Sequence, residues 1–177
     1  MDNTAVGRAV FWLARSIAIA GGLVLSVVVV IVVVSVVGRA LIPLGLSAVP
    51  GDFEIVQFAV LFAIFSALPL TQYLRGHADV SVLVDHFPVR AVAVIEFIMD
   101  ALMLVATGFI LWRFGAGMLD KYTNREMTFI LHIPLWWTYA AGMVGAVTML
   151  IVSAYCAVRS FVNAISRDPV KPEPGLF

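Results

Sequence analysis

Four apolar stretches set the pattern of this chain, and most of its charges fall between them. Ile17–Val37 lies in an uncharged window bounded by Arg15 and Arg39. At about 1.5 Å per helical residue that window reaches about 34 Å, slightly more than a ~30 Å hydrocarbon core. Ile55–Leu74 sits between Glu54 and Arg75, and Leu135–Val158 ends at Arg159. The remaining stretch, Ala91–Trp112, contains Glu96 and Asp100. The pattern predicts an all-α membrane protein with transmembrane helices at about 17–37, 55–74, 91–112 and 135–158. All four belong to a single membrane domain covering 1–177.

Composition agrees with this reading. Of the 177 residues 62% are hydrophobic and 12% charged, more apolar surface than a soluble domain of this size could bury. The first stretch is longer than a signal-peptide core and lacks a small-x-small cleavage site behind it, so a retained helix is expected. A single cysteine, Cys156, rules out a disulfide within the chain. Zero net charge argues against a nucleic-acid partner. With four spans both termini share one side. That side holds Arg8, Arg15, Arg75, Arg90, Arg159, Arg167 and Lys171, against Arg39, Arg113, Lys121 and Arg125 on the other. The positive-inside rule then predicts cytoplasmic termini.

Small residues are the expected contact points, because lipid gives apolar helix faces no reason to seek each other. Candidate stripes are Ala18, Gly22 and Ser26 in the first span and Ala59, Ala63 and Ala67 in the second. The fourth offers Ala141, Gly142, Gly145 and Ala146. Most are expected to pack the protein against itself, with one stripe available to a partner. Trp12, Trp112, Trp136 and Trp137 mark span ends, since indole rings prefer the headgroup level. Gly115 to Tyr122 suggests a helical extension or turn on the outer face. The proline-rich tail, 168–177, is expected to be extended and mobile.

Between the second and third spans, Val80, Leu83, Val84 and Phe87 stand at i, i+3, i+4 and i+7. This spacing predicts a short amphipathic helix at 79–87, capped by Asp79, stopped by Pro88 and lying in the membrane interface. Asp100 and Arg113 are separated by twelve uncharged residues, about 18 Å of helix. Arg113 is expected to snorkel outward, leaving Asp100 inside the membrane with Glu96 one turn nearer the cytoplasm. A proton or cation site is one reading of Asp100. A hydrogen-bonded acid joining two helices is favoured, since the spans hold no second acidic ligand. His77, Asp79, Asp85 and His86 have metal-ligand chemistry but not the three- or four-residue spacing that one helix face requires. His77, His86 and His132 lie outside span centres, which argues against a bundle-embedded haem. No nucleophile elbow, P-loop or HExxH motif occurs, so an enzyme is not expected.

The run PGDFEIVQFAVLFAIFSALPLTQYLRGHADVSVLVDHFP, from Pro50 to Pro88, carries a family resemblance. Arg39 ends the first span, Glu54 opens the second after a Gly-Asp turn, and Gly76-His77-Ala78-Asp79-Val80 follows it. Phe87-Pro88 then precedes Arg90, and Ile133-Pro134-Leu135-Trp136 leads into the fourth span. In this order the features resemble the small membrane subunit (Q, DctQ-type) of tripartite ATP-independent periplasmic (TRAP) transporters. The resemblance implies a bacterial inner-membrane location and two protein partners, beside the surrounding lipid. A periplasmic substrate-binding protein would deliver an organic acid, and a large permease subunit would hold the substrate and sodium sites. The small subunit would need no cofactor and would add to the stationary scaffold. Candidate interface or structural polar residues are then Arg39, Asp52, Glu54, Arg75, His77, Asp79, Glu96 and Asp100, with Arg39 pairing to Asp52 or Glu54. The alternatives are a stand-alone four-helix carrier or channel using Glu96 and Asp100, or an assembly subunit of another membrane complex.

Overall fold

A computed structural model describes residues 5–74 and 88–165. The expected interfacial helix at 79–87, with Arg75, His77 and Asp79, and the tail at 168–177 lie outside the described residues. Four helices long and apolar enough to cross a membrane account for most of the rest. They are α1 (Ala5–Ala40), α2 (Asp52–Tyr73), α3 (Val89–Thr123) and α4 (Trp136–Ile165). Each begins or ends where backbone chemistry requires. After α1, Pro43 opens a single 3-10 turn, Ile42–Leu44, which Gly45 ends at φ 84°. Gly51, at φ 74°, turns the chain into α2, and Pro88 caps α3 without needing to donate a hydrogen bond.

The helices stand in a row, α1 on α2, α2 on α4, and α4 on α3, and near one end Val10 and Ala14 of α1 also join Val152 and Cys156 of α4 in the buried core. Half of α4's most apolar window (50%) is buried against 11% in α1 and α3, so α4 is central and those two form the edges. The α1 seam repeats every seven residues: Gly7, Ala14, Gly21, Val28 and Ser35 are all buried, and so are Val10 and Gly38 at the companion position. A strict seven-residue repeat keeps one narrow stripe turned to its neighbour along a left-handed crossing. Ala18, Gly22 and Ser26 do not form this contact. Gly22 and Ser26 are exposed, and Ala18 is half-buried at the seam's margin. The close glycine is Gly21, where a Cβ would stand 2.6 Å from that of Ser66.

On α2, Ala59 is buried and Ala63 half-buried near Gly21, but Ala67 is exposed; Ser66, Pro69 and Gln72 fill the seam instead. Pro69 also removes the N–H that would bond the Phe65 carbonyl. Gly145 of α4 meets that carbonyl, and a Cβ there would lie 2.6 Å from its carbon and oxygen. Gly142, Gly145 and Ala146 are buried and Ala141 is half-buried.

Cross-helix contacts fix the relative depth of the spans. At one end Gln72 of α2 bonds Asp100 of α3; at the other Glu54 of α2 bonds the loop that follows α3. Midway, the Phe65 ring lies 5.0 Å from that of Phe114, and Phe65 is the centre of Ile55–Leu74. Arg113 is therefore about 20 Å of helix from Asp100 and about 15 Å from the α3 terminus. Asp100 is level with the end of α2, while Trp112 and Arg113 lie at mid-height rather than at the outer rim. The sequence could not reveal this, because the apolar part of α3 is offset towards its N-terminus relative to its neighbours. Beyond Arg113 the helix continues unbroken to Thr123, with Gly115 and Gly117 admitting Met143 and Tyr139 of α4.

Candidate functional site: two polar clasps at opposite ends of the row

The first clasp is built from one side chain on each of three helices. Asp100 Oδ1 accepts a hydrogen bond from Gln72 Nε2 at 3.2 Å, and Asp100 Oδ2 accepts one from the Ser160 hydroxyl. All three residues are buried. A polar side chain hidden from water is tolerable where hydrogen-bond partners replace the lost hydration, and both oxygens of Asp100 have one. Nearby, Tyr73 stacks on Tyr155 at 6.2 Å, meets Phe11 at 5.4 Å and donates to the Gly7 carbonyl at 3.3 Å, which brings α1 into the same layer. Glu96, one turn below Asp100, is half-buried and is engaged in contacts of its own.

The second clasp, at the opposite end, has two parts. Ser35, at the last turn of the α1 seam, donates to Asp52 Oδ2 at 2.5 Å and accepts from the Val49 amide at 3.3 Å. Arg39 Nη2 lies 3.6 Å from the same Asp52 oxygen, with 65% of its side chain exposed, so it is a loose rim pair. Glu54 does not pair with Arg39. Its carboxylate accepts from two consecutive amides of the α3–α4 loop, Ile130 N–H at 2.8 Å and Leu131 N–H at 2.9 Å. That loop is a small hairpin: Thr128 N–H bonds Ile133 O at 2.9 Å, and Leu135 N–H bonds Glu126 O at 2.9 Å. Leu131 caps Gly51, where any side chain would collide with it. Lys121 reaches Glu126 at 2.8 Å and steadies the hairpin's first limb.

Asp52 and Glu54 precede the apolar stretch that begins at Ile55, so they belong to the aqueous rim. The Ser35 hydroxyl, followed by the Phe53 amide, holds the Asp52 carboxyl below its ordinary value. For Glu54, burial acts first and pushes upward, but the Ile130 and Leu131 amides together with Thr128 outweigh it, and the net shift is downward. Glu54 is therefore a fixed anion, held by the loop it organises.

Among the described residues no three His, Cys, Asp or Glu side chains come together. The acceptors of Asp52, Glu54 and Asp100 are directed at donors within the chain, an arrangement suited to bracing helices and loops. Sequence reasoning did not find Gln72, Ser160, Ser35 or the hairpin amides. Ser35 had a readable signal in the seven-residue repeat that includes Gly7, Ala14, Gly21 and Val28; main-chain donors have none. A profile of the family described as "Tripartite ATP-independent periplasmic transporters, DctQ component" matches residues 28–163. Searches of curated proteins and of solved structures give no match.

Proposed function

The chain belongs to the DctQ component family of tripartite ATP-independent periplasmic transporters, and on that premise we propose that it is a non-catalytic scaffold. As the small membrane subunit it stands beside the large permease subunit, which works with a periplasmic binding protein. In this reading the transporter imports an organic acid on a sodium gradient across a bacterial inner membrane, with both termini of this chain cytoplasmic. The coupling ion and the substrate are held by the large subunit.

The observation that carries the scaffold reading is the pair of clasps. A wall against which another subunit moves must resist shear between its own helices. Asp100 ties α2, α3 and α4 at one end, and Glu54 ties α2 to the α3–α4 hairpin at the other. A path for solute along Glu96 and Asp100 is disfavoured, because Asp100 is directed into a helix junction. Deleting the gene in its host and restoring it in trans tests the role. Sodium-dependent uptake of the acid should vanish and return together with recovery of the large subunit in the membrane. Undiminished uptake in the deletion strain would reject the proposal.

A further inference from the structure

Arg113 is a cation at mid-height of the row, on the exposed side of an edge helix. Its guanidinium carbon lies 6.0 Å from the Trp112 ring centroid, and among the described residues no acceptor bonds it. The neighbouring Phe114 ring packs beside Gly142 and Leu61, each about 9 Å of helix inside the apolar ends of α4 and α2 at Trp136 and Ile55. Insertion scales penalise an arginine within a membrane helix, and such residues face protein or water rather than lipid. The surrounding surface fits a protein neighbour. Phe109, Trp112, Arg113 and Ala116 follow i, i+3, i+4 and i+7 spacing, all exposed, and Ala116 leaves room for a backbone to approach. The opposite edge is different. On α1 the exposed face is valine, including Val27, Val30 and Val34, and the Ser26 hydroxyl is satisfied by the Gly22 carbonyl at 2.9 Å. One edge is apolar along its middle, and the other carries a charge.

We propose that the exposed α3 face centred on Arg113 is the docking surface for a membrane helix of the large permease subunit. That helix presents a carboxylate, or a comparable acceptor, to the guanidinium at mid-depth. The inference rests on the reading that a large permease subunit accompanies this chain. It adds which helix meets that subunit and the chemistry it must offer.

The test uses the complete transporter in native membranes. A benzophenone amino acid replaces Phe109, Ala116 or, as a control, Val30, with Arg113 intact. Photolysis should join the chain to the large subunit from 109 and 116 but not from 30. Separately, Arg113→Leu should lower recovery of the large subunit with the tagged chain roughly 30-fold or more, the consequence of leaving a buried acceptor unpaired. The amount of chain in the membrane should hold steady, and Arg113→Lys should restore part of the recovery. Crosslinks to lipid alone, to a second copy of this chain, or equally from 30 would overturn the docking surface. Undiminished recovery with Arg113→Leu would do the same. In those cases the large subunit still accompanies the native chain, and the scaffold reading survives. If the large subunit never accompanies the native chain, both fall.

Discussion

Adding one methyl group at Gly145 should loosen the centre of the row. A Cβ there would lie 2.6 Å from the Phe65 carbonyl carbon and oxygen and 2.8 Å from the Phe65 Cβ. Ordinary contact begins near 3.4 Å, so α4 and α2 must part by most of an ångström at their closest approach. The neighbour is backbone, stiffened on one side by Pro69, and cannot rotate away. Overpacking of a well-filled interior costs about 1–3 kcal/mol, roughly a 5- to 150-fold drop in the ratio of folded to unfolded protein. Gly22→Ala is the control, with no atom within 4 Å of the added methyl. Its effect should remain within about 0.5 kcal/mol, as for surface changes generally. The assay is reversible unfolding of the purified chain in mixed micelles on raising the SDS fraction, followed by tryptophan fluorescence. Equal transitions for Gly145→Ala and the native chain, or equal losses for both variants, would refute the register described for α2 and α4.

Glu54→Gln puts an amide donor where the hairpin amides need an acceptor, so trypsin should cut after Arg125 several times faster in the variant; an unchanged rate would mean that Glu54 does not hold the hairpin. The Glu54 carboxyl also sets a pH dependence, because its folded value lies below the ordinary 4.5. The stability it contributes is fully present above that value and is lost as pH falls through the lower folded one. Emission of Trp136 and Trp137, beside the hairpin, should therefore change on acidification below about pH 4.5 and not between pH 5 and 8; a transition in the neutral range would point to another group. Arg39→Ala, at an exposed rim pair, should leave assembly and uptake near native levels, and a large loss in either would show that Arg39 is buried against another subunit.

The four crossings were legible because bilayer thickness demands long apolar runs, and those runs dominate the chain. Partners across the seams were not. Gly21 and Gly22 are adjacent, and a four-residue stripe of small residues through Gly22 looks as favourable as any. Only the longer repeat, Gly7 through Ser35, selects Gly21, since a seam that follows its neighbour in a left-handed crossing recurs every seven residues. Asp100 and Arg113 show a second limit. Their separation establishes that one of them is deep in the membrane, but relative depth is set by contacts with α2 and α4, such as Phe65 with Phe114 and Gln72 with Asp100. The Glu54 carboxylate illustrates a third. Its partners are main-chain amides of a loop more than seventy residues away, and every residue type supplies those.

Proteoliposomes test the scaffold account most directly. The purified chain alone should pass no organic acid under an inward sodium gradient, while the same chain with its large subunit and binding protein should sustain uptake. Sodium-driven flux through this chain without companions would contradict the account.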